Sequence, residues 1–282
     1  MRASPSLVLS TLVVLVAFAG NSLLCRLALI EERIDPVSFT ALRLLSGSLV
    51  LLPFVLRGRQ AQVARRLEWR PALALFVYAL GFSLAYVSLP AGTGALLLFG
   101  TVQATMIGAG WLAGERPTPL RALGILLALV GLVVLVLPGV GAPDLPGTLW
   151  MVAAGAGWGS YSLLGRGVAD ATRSTGRAFL LAAPFAALAV LALPVELQVE
   201  SEGAALAAAS GALTSGLGYA LWYRTLRHHT ATSAAIVQLA VPVLASAGGS
   251  LLLDESITPR LVGAGALTLG GVALALVAGS RR

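Results

Sequence analysis

Apolar residues in this chain neither alternate with polar ones nor keep to one helical stripe; they come in blocks. Ten runs of about 20 mostly apolar residues, the length a helix needs to cross a hydrocarbon core, lie near 7–29, 37–56, 71–89, 92–113, 119–138, 147–168, 177–194, 203–225, 230–252 and 260–279. Pro or Gly marks most of the breaks, among them Pro36, Pro71, Pro90, Gly92, Pro119, Pro138, Pro146, Pro194 and Pro259. The stretch 71–113 is too long for one membrane helix, so a turn is expected at Pro90-Ala91-Gly92. A membrane barrel would alternate polar and apolar positions, and these runs do not. The pattern predicts an all-α polytopic membrane protein with ten transmembrane helices.

Composition agrees. Of 282 residues 57% are hydrophobic and 11% charged, against roughly 25% charge in soluble domains. Nucleic-acid binding is not expected despite the basic balance, because the basic residues are scattered between apolar runs. All 19 are Arg, and the single cysteine, Cys25, excludes an internal disulfide. Arg2, the following apolar stretch and Ala17-Phe18-Ala19 resemble a cleavable leader. Recurrence of this segment later in the chain favours a first membrane span instead.

Charge sets the expected orientation. With the N-terminus cytoplasmic, inner segments hold 15 Arg and three acids (Glu68, Glu115, Asp170). Outer segments then hold four Arg (Arg26, Arg33, Arg43, Arg260) and nine acids. Arg is enriched in cytoplasmic loops, so both termini are expected inside.

The chain also repeats itself. Phe18-Ala-Gly-Asn-Ser-Leu-Leu-Cys-Arg26 matches Trp158-Gly-Ser-Tyr-Ser-Leu-Leu-Gly-Arg166, and Glu115/Glu255, Pro119/Pro259, Gly108/Gly248 and Gly131/Gly271 match at the same offset. Units 1–142 and 143–282 would each hold five spans, an odd number, so the second would enter the membrane inverted. Inverted repeats suit transporters, with substrate near the midplane between the halves.

These motifs resemble the drug/metabolite transporter superfamily, EamA type. They are the aromatic and Gly-rich first helix of each unit (Phe18–Ser22, Trp158–Ser162), Gly114-Glu115-Arg-Pro-Thr-Pro119 and Asp254-Glu255-Ser-Ile-Thr-Pro259, and Asp35-Pro36 followed by Arg43. The resemblance spans the whole chain and is strongest to YddG-type exporters of aromatic amino acids. It implies a multi-pass exporter of the bacterial inner membrane, with a cavity lined by the first, third, fourth, sixth, eighth and ninth helices. The last helix of each unit would stand behind as scaffold. Pro242 precedes Glu255 as the family expects, whereas Val102 stands at the equivalent place, so a kink is expected in the ninth helix and not in the fourth.

Polar and aromatic residues inside spans are the candidate substrate contacts, because lipid disfavours polar groups. Phe18, Asn21 and Ser22 share a face at i, i+3, i+4; so do Trp158, Tyr161 and Ser162. Tyr78 pairs with Phe82, Phe99 with Gln103, and Tyr219 with Tyr223; Gln238 falls near the middle of the ninth run. Tyr86, Trp69, Trp111, Trp150 and Trp222 are assigned to interfacial belts. Arg43 lies inside the second span, either facing a carboxylate or anchoring an acid or helix-end carbonyls. Arg26 and Arg166 lie near helix ends and are read as snorkelling, and His228 and His229 as solvated loop residues. Gly pairs Gly110/Gly114 and Gly155/Gly159 read as close helix packing; Gly81, Gly157, Pro184 and Pro242 are among the candidate flex points.

No catalytic triad, metal-ligand cluster or phosphate loop is present, so neither catalysis nor a cofactor or metal is expected. The expected function is alternating-access export of small amphipathic metabolites, aromatic or large neutral amino acids first, by a single copy of the chain. The alternatives are a drug or other metabolite exporter of the same fold, or a membrane scaffold with no flux. No Asp or Glu lies mid-span, which favours gradient-driven passage over proton exchange.

Overall fold

A short polar residue followed by proline opens helix after helix. The proline takes the first helical position, where a missing N–H costs nothing, and the residue before it caps. In the computed structural model, which describes residues 5–57, 69–114, 117–139, 141–165, 168, 170–192, 196–226 and 237–279, Asp35 Oδ1 accepts from the Val37 and Ser38 amides at 3.0 and 2.9 Å. Asp144 Oδ2 accepts from Gly147 N at 2.7 Å. Thr118 and Thr258 cap Arg121 N and Leu261 N at 3.3 and 3.1 Å.

Ten helices result among the described residues: α1 (Pro5–Ile30), α2 (Pro36–Arg57), α3 (Trp69–Tyr86), α4 (Ala91–Leu112), α5 (Pro119–Val136), α6 (Leu145–Leu164), α7 (Ala171–Ala192), α8, α9 (Ala240–Leu252) and α10 (Pro259–Gly279). The α8 helix runs from Ser201–Ala209 through a π-helical Ser210–Leu217 into Gly218–Leu226. Seven helices are long and apolar enough to cross a membrane, in keeping with a polytopic membrane protein. The exceptions are α3 and α6, whose apolar character is diluted by aromatic, Gly and Ser residues, and the short α9. No strand occurs among the described residues, only one antiparallel bridge, Ile34 with Val199.

Element ends differ in places from the sequence expectation. Helix α7 starts six residues earlier than the apolar run, because Asp170 caps it by accepting from Arg173 N at 3.0 Å. Helix is interrupted at Leu239, between helical Val237 and Gln238 and the regular α9 from Ala240, three residues before Pro242, where the expected kink would fall. Gly114 has φ +90° and its amide donates to Trp111 O at 2.9 Å. It therefore ends α4, with no atom where a Cβ would sit, and makes no helix contact. Glu115, Arg166, His228 and His229 lie outside the described residues.

Small residues let the helices meet at backbone distance. A Cβ on Gly124 would stand 2.5 Å from Ala275 N, and one on Gly271 2.5 Å from Ala128 N. The α5–α10 pair is thus a close-packed strut. A Cβ on Gly157 of α6 would stand 2.8 Å from Tyr78 N of α3, and Cβ atoms on Gly155 and Gly159 2.6 and 2.9 Å from Thr101 and Thr105 of α4. Gly81 and Gly157 are sites of tight crossing, which explains why only glycine fits there. Gly211, in the π-helical turn of α8, lies against Arg43 O of α2 at 2.1 Å from its missing Cβ.

One end of the bundle is stitched across. Arg26 Nε meets Glu255 Oε1 at 3.0 Å, and Arg26 Nη1 donates to Tyr86 O and Val87 O at 3.0 and 2.8 Å. Glu255 Oε2 accepts from Ala91 N, the first amide of α4, at 2.7 Å. Asp254, at φ 53°, turns the chain so that Glu255 reaches back. Nearby, Asp35 N donates to Gln198 O at 2.9 Å and Glu200 N to Arg33 O at 2.8 Å, and Arg33 pairs with Glu31 and Glu202. Arg26 is therefore a buried tie and not a snorkelling residue.

Candidate functional site

Tyr and Phe at i, i+4 on α3, and a Phe, Asn and Ser triplet on α1, turn inward toward Trp158 of α6. Together with Leu98 and Phe99 of α4 and Tyr219 of α8 they line a central cavity: Phe18, Asn21, Ser22, Tyr78, Phe82, Leu98, Phe99, Trp158 and Tyr219. Helix α9 contributes none of these residues. Trp158 is the hub, with ring centroids 4.9 Å from Tyr78, 4.8 Å from Tyr219 and 6.5 Å from Phe18, the last edge-on at 81°. The free volume is about 20 Å³, room for roughly one water. The rings fill the space they enclose.

Behind this aromatic wall stands a polar cluster. Asn21 Oδ1 accepts from Ser210 Oγ at 2.7 Å, Thr214 Oγ1 at 3.1 Å and Ser215 Oγ at 3.5 Å. Its Nδ2 donates to Tyr78 Oη at 3.3 Å, and Tyr78 Oη lies 3.3 Å from Tyr219 Oη. In a regular α-helix Ser210 and Ser215 would point about 140° apart, at roughly 100° per residue. The wider π-helical turn lets both reach Asn21, and π segments of this kind are frequent at functional sites.

Arg43 completes the cluster. It is 1% exposed. Its Nε donates to Ser215 Oγ at 3.1 Å and its Nη2 to Tyr78 Oη at 2.9 Å, with Tyr219 Oη at 3.5 Å. The guanidinium carbon lies 5.0 Å from the Tyr78 ring centre and 4.9 Å from that of Phe82. No described carboxylate pairs with it, and Nη1 is buried without a partner. Among the described residues its partners are hydroxyls, not an acid or helix-end carbonyls.

Eight of the thirteen sequence candidates meet at the cavity. Tyr161 stacks on Trp158 at 5.5 Å, but its hydroxyl donates outward to Thr175 Oγ1 at 3.0 Å. Ser162 bonds back to Trp158 O at 2.8 Å. Gln103 lines a separate apolar cleft with Ile125, Leu132 and Val272: four residues along α4 from Phe99 is about 6 Å of rise, past the cavity. Gln238 precedes α9 and is not among the cavity residues. The Tyr223 side chain lies outside the described residues.

Two residues assigned to interfacial belts prove central. Tyr86 is wholly buried, with its ring 4.7 Å from Phe82 and its hydroxyl donating to Ala91 O at 3.2 Å. Trp222 is buried with its ring 5.9 Å from Phe18. Spacing was the available signal: Tyr86 follows Phe82 by four, and Trp222 follows Tyr219 by three. Trp69, Trp111 and Trp150 are about half exposed, as belt residues would be.

Apolar spanning helices around an aromatic-walled polar cluster define a multi-pass membrane transporter. The chain belongs to the EamA-like transporter family, whose profile matches twice, over residues 6–137 and 145–277. It is 55% identical over 269 residues to an uncharacterised protein of Pseudomonas aeruginosa, covering 95% of this chain and 93% of that one. An uncharacterised transporter of Archaeoglobus fulgidus is 23% identical over 254 residues, 85% of this chain and 88% of that one. A solved crystal structure shares the fold, with TM-score 0.68 at 23% identity over 99% of this chain and 100% of that one.

Proposed function

We propose that this transporter exports small amphipathic metabolites, aromatic or large neutral amino acids first, by alternating access through the central cavity. It works as a single copy in the bacterial inner membrane, with both termini cytoplasmic. Residues 1–142 and 143–282 act as inverted five-helix units; the twofold profile match supports that division. The observation that carries the reading is Trp158 held among Phe18, Tyr78 and Tyr219.

The rings pack on one another in place of a solute. A solute ring that enters exchanges ring–ring contacts for ring–solute contacts, each about 0.5–1.5 kcal/mol beyond burial. Opening the cavity is therefore offset by what fills it, and an aliphatic or polyamine solute lacks that compensation. Phe18 and Trp158, at matching positions of the two units, would separate as the units rock.

Flux into proteoliposomes of labelled Trp, Phe, Thr and a polyamine tests the reading. Trp and Phe should move faster than Thr and the polyamine. Trp158→Ala and Tyr78→Ala should lower that flux about tenfold, the loss of one or two ring contacts, with folded protein still recovered. No flux of any solute, or flux indifferent to both substitutions, would overturn it.

A further inference from the structure

Arg43 carries a charge that nothing described in the protein balances. Guanidinium does not deprotonate in proteins, and a charge taken out of water needs a partner. Arg43 is 1% exposed, in the second membrane-crossing helix, with no described carboxylate within ion-pairing distance. Two aromatic faces and three hydroxyl oxygens surround it, and Nη1 has no partner. The described acceptors in the cluster are all neutral. Asn21 Oδ1, its one amide oxygen, is already shared by Ser210, Thr214 and Ser215.

Such a cluster lacks one component, an anion. Among the described residues the geometry leads to it from the cavity, because Tyr78 and Tyr219 belong to the cavity wall and their hydroxyls are the groups on Arg43 Nη2. We propose that Arg43, with the Tyr78 and Tyr219 hydroxyls, is the receptor for the carboxylate of the transported solute. This rests on the aromatic-solute reading and narrows it to aromatic carboxylates. One planar guanidinium fork matches one carboxylate; a single positive charge does not balance a phosphate dianion. No described carboxylate lines the cavity to receive an ammonium, so the amine of an amino acid is dispensable and the carboxylate is not.

Thermal stabilisation of the purified full chain in nanodiscs reads this directly, with tryptophan, 3-indolepropionate, tryptamine, tryptophanamide and 4-methylpentanoate as probes. Tryptophan and indolepropionate should stabilise the wild type at concentrations about tenfold or more below those needed for tryptamine and the amide, the ratio a charged hydrogen bond sustains. Arg43→Gln should erase that ratio and Arg43→Lys keep part of it. Asn21→Asp places an internal carboxylate in the same cluster. It should abolish the carboxylate preference while the unliganded protein melts no lower than wild type, a result that guards against simple misfolding of Arg43→Gln.

A wild type that treats acid and amide alike, an Arg43→Gln protein that keeps the ratio, or no stabilisation by any carboxylate overturns the proposal. If 4-methylpentanoate binds through Arg43 as well as indolepropionate does, the aromatic reading fails and the carboxylate receptor stands. If indole compounds bind regardless of the carboxylate, the reverse holds.

Discussion

Arg26 and Glu255, 229 positions apart in the chain, meet at 3.0 Å with both side chains about nine-tenths buried. Each also satisfies backbone groups: Arg26 takes the carbonyls that end α3, and Glu255 caps the start of α4. One pair thus joins α1, the α3–α4 turn and the α9–α10 connection.

Removing either partner leaves a buried charge alone, which costs about 3–5 kcal/mol. Arg26→Gln and Glu255→Gln should each lower the melting temperature of the purified protein markedly. The swap Arg26→Glu with Glu255→Arg should recover only part of the loss, because the reversed pair cannot bond Tyr86 O, Val87 O and Ala91 N. Full recovery would show that only the charge pair matters.

Gly211 sets the contact between α8 and α2. A Cβ there would stand 2.0 Å from Ser46 Oγ and 2.1 Å from Arg43 O, and backbone cannot move aside cheaply. Gly211→Ala should destabilise by about 1–3 kcal/mol or more and disturb the cluster around Arg43. Gly108→Ala in α4, with nothing within 4 Å, should be silent. Melting temperatures of the two variants make the comparison.

Much of this site was legible in the sequence because helical spacing is rigid. Phe18, Asn21 and Ser22, and Tyr78 and Phe82, share faces by arithmetic alone, and the structure brings those faces together. Gln103 misled because spacing fixes direction and not depth. Tyr86 and Trp222 were misassigned because proximity to a helix end outweighed a spacing that pointed inward. The π-helical turn had no local mark, since Ser210–Leu217 reads as ordinary small-residue helix. The Arg26–Glu255 tie and the isolation of Arg43 are tertiary facts: each depends on what lies across the bundle, not on neighbours in sequence.

The close packing of α5 against α10 gives a separate expectation. A Cβ on Gly124 or Gly271 would stand 2.5 Å from backbone of the other helix, whereas one on Gly263 or Gly270 would meet nothing within 4 Å. Gly124→Leu or Gly271→Leu should prise the pair apart and lower the yield of folded protein, while Gly263→Leu and Gly270→Leu should not. Because this strut lies away from Trp158, whatever protein folds should keep the wild-type order of preference among solutes. A changed order, measured by competition flux, would place the strut in the transport path.

Coupling to protons makes the last prediction. Among the described residues the one carboxylate inside a helix is Glu202, in the first turn of α8, and it pairs with Arg33 at the stitched end. No carboxylate or histidine is among the described residues that line the cavity. That lining therefore offers no carboxylate or imidazole to carry a proton between about pH 6 and 8. Flux driven by a solute gradient should therefore persist when the pH gradient across proteoliposomes is collapsed with an ionophore, and should vary less than about twofold over that range. Flux that stops with the pH gradient would require a proton carrier elsewhere in the chain and would separate the solute site from the coupling site.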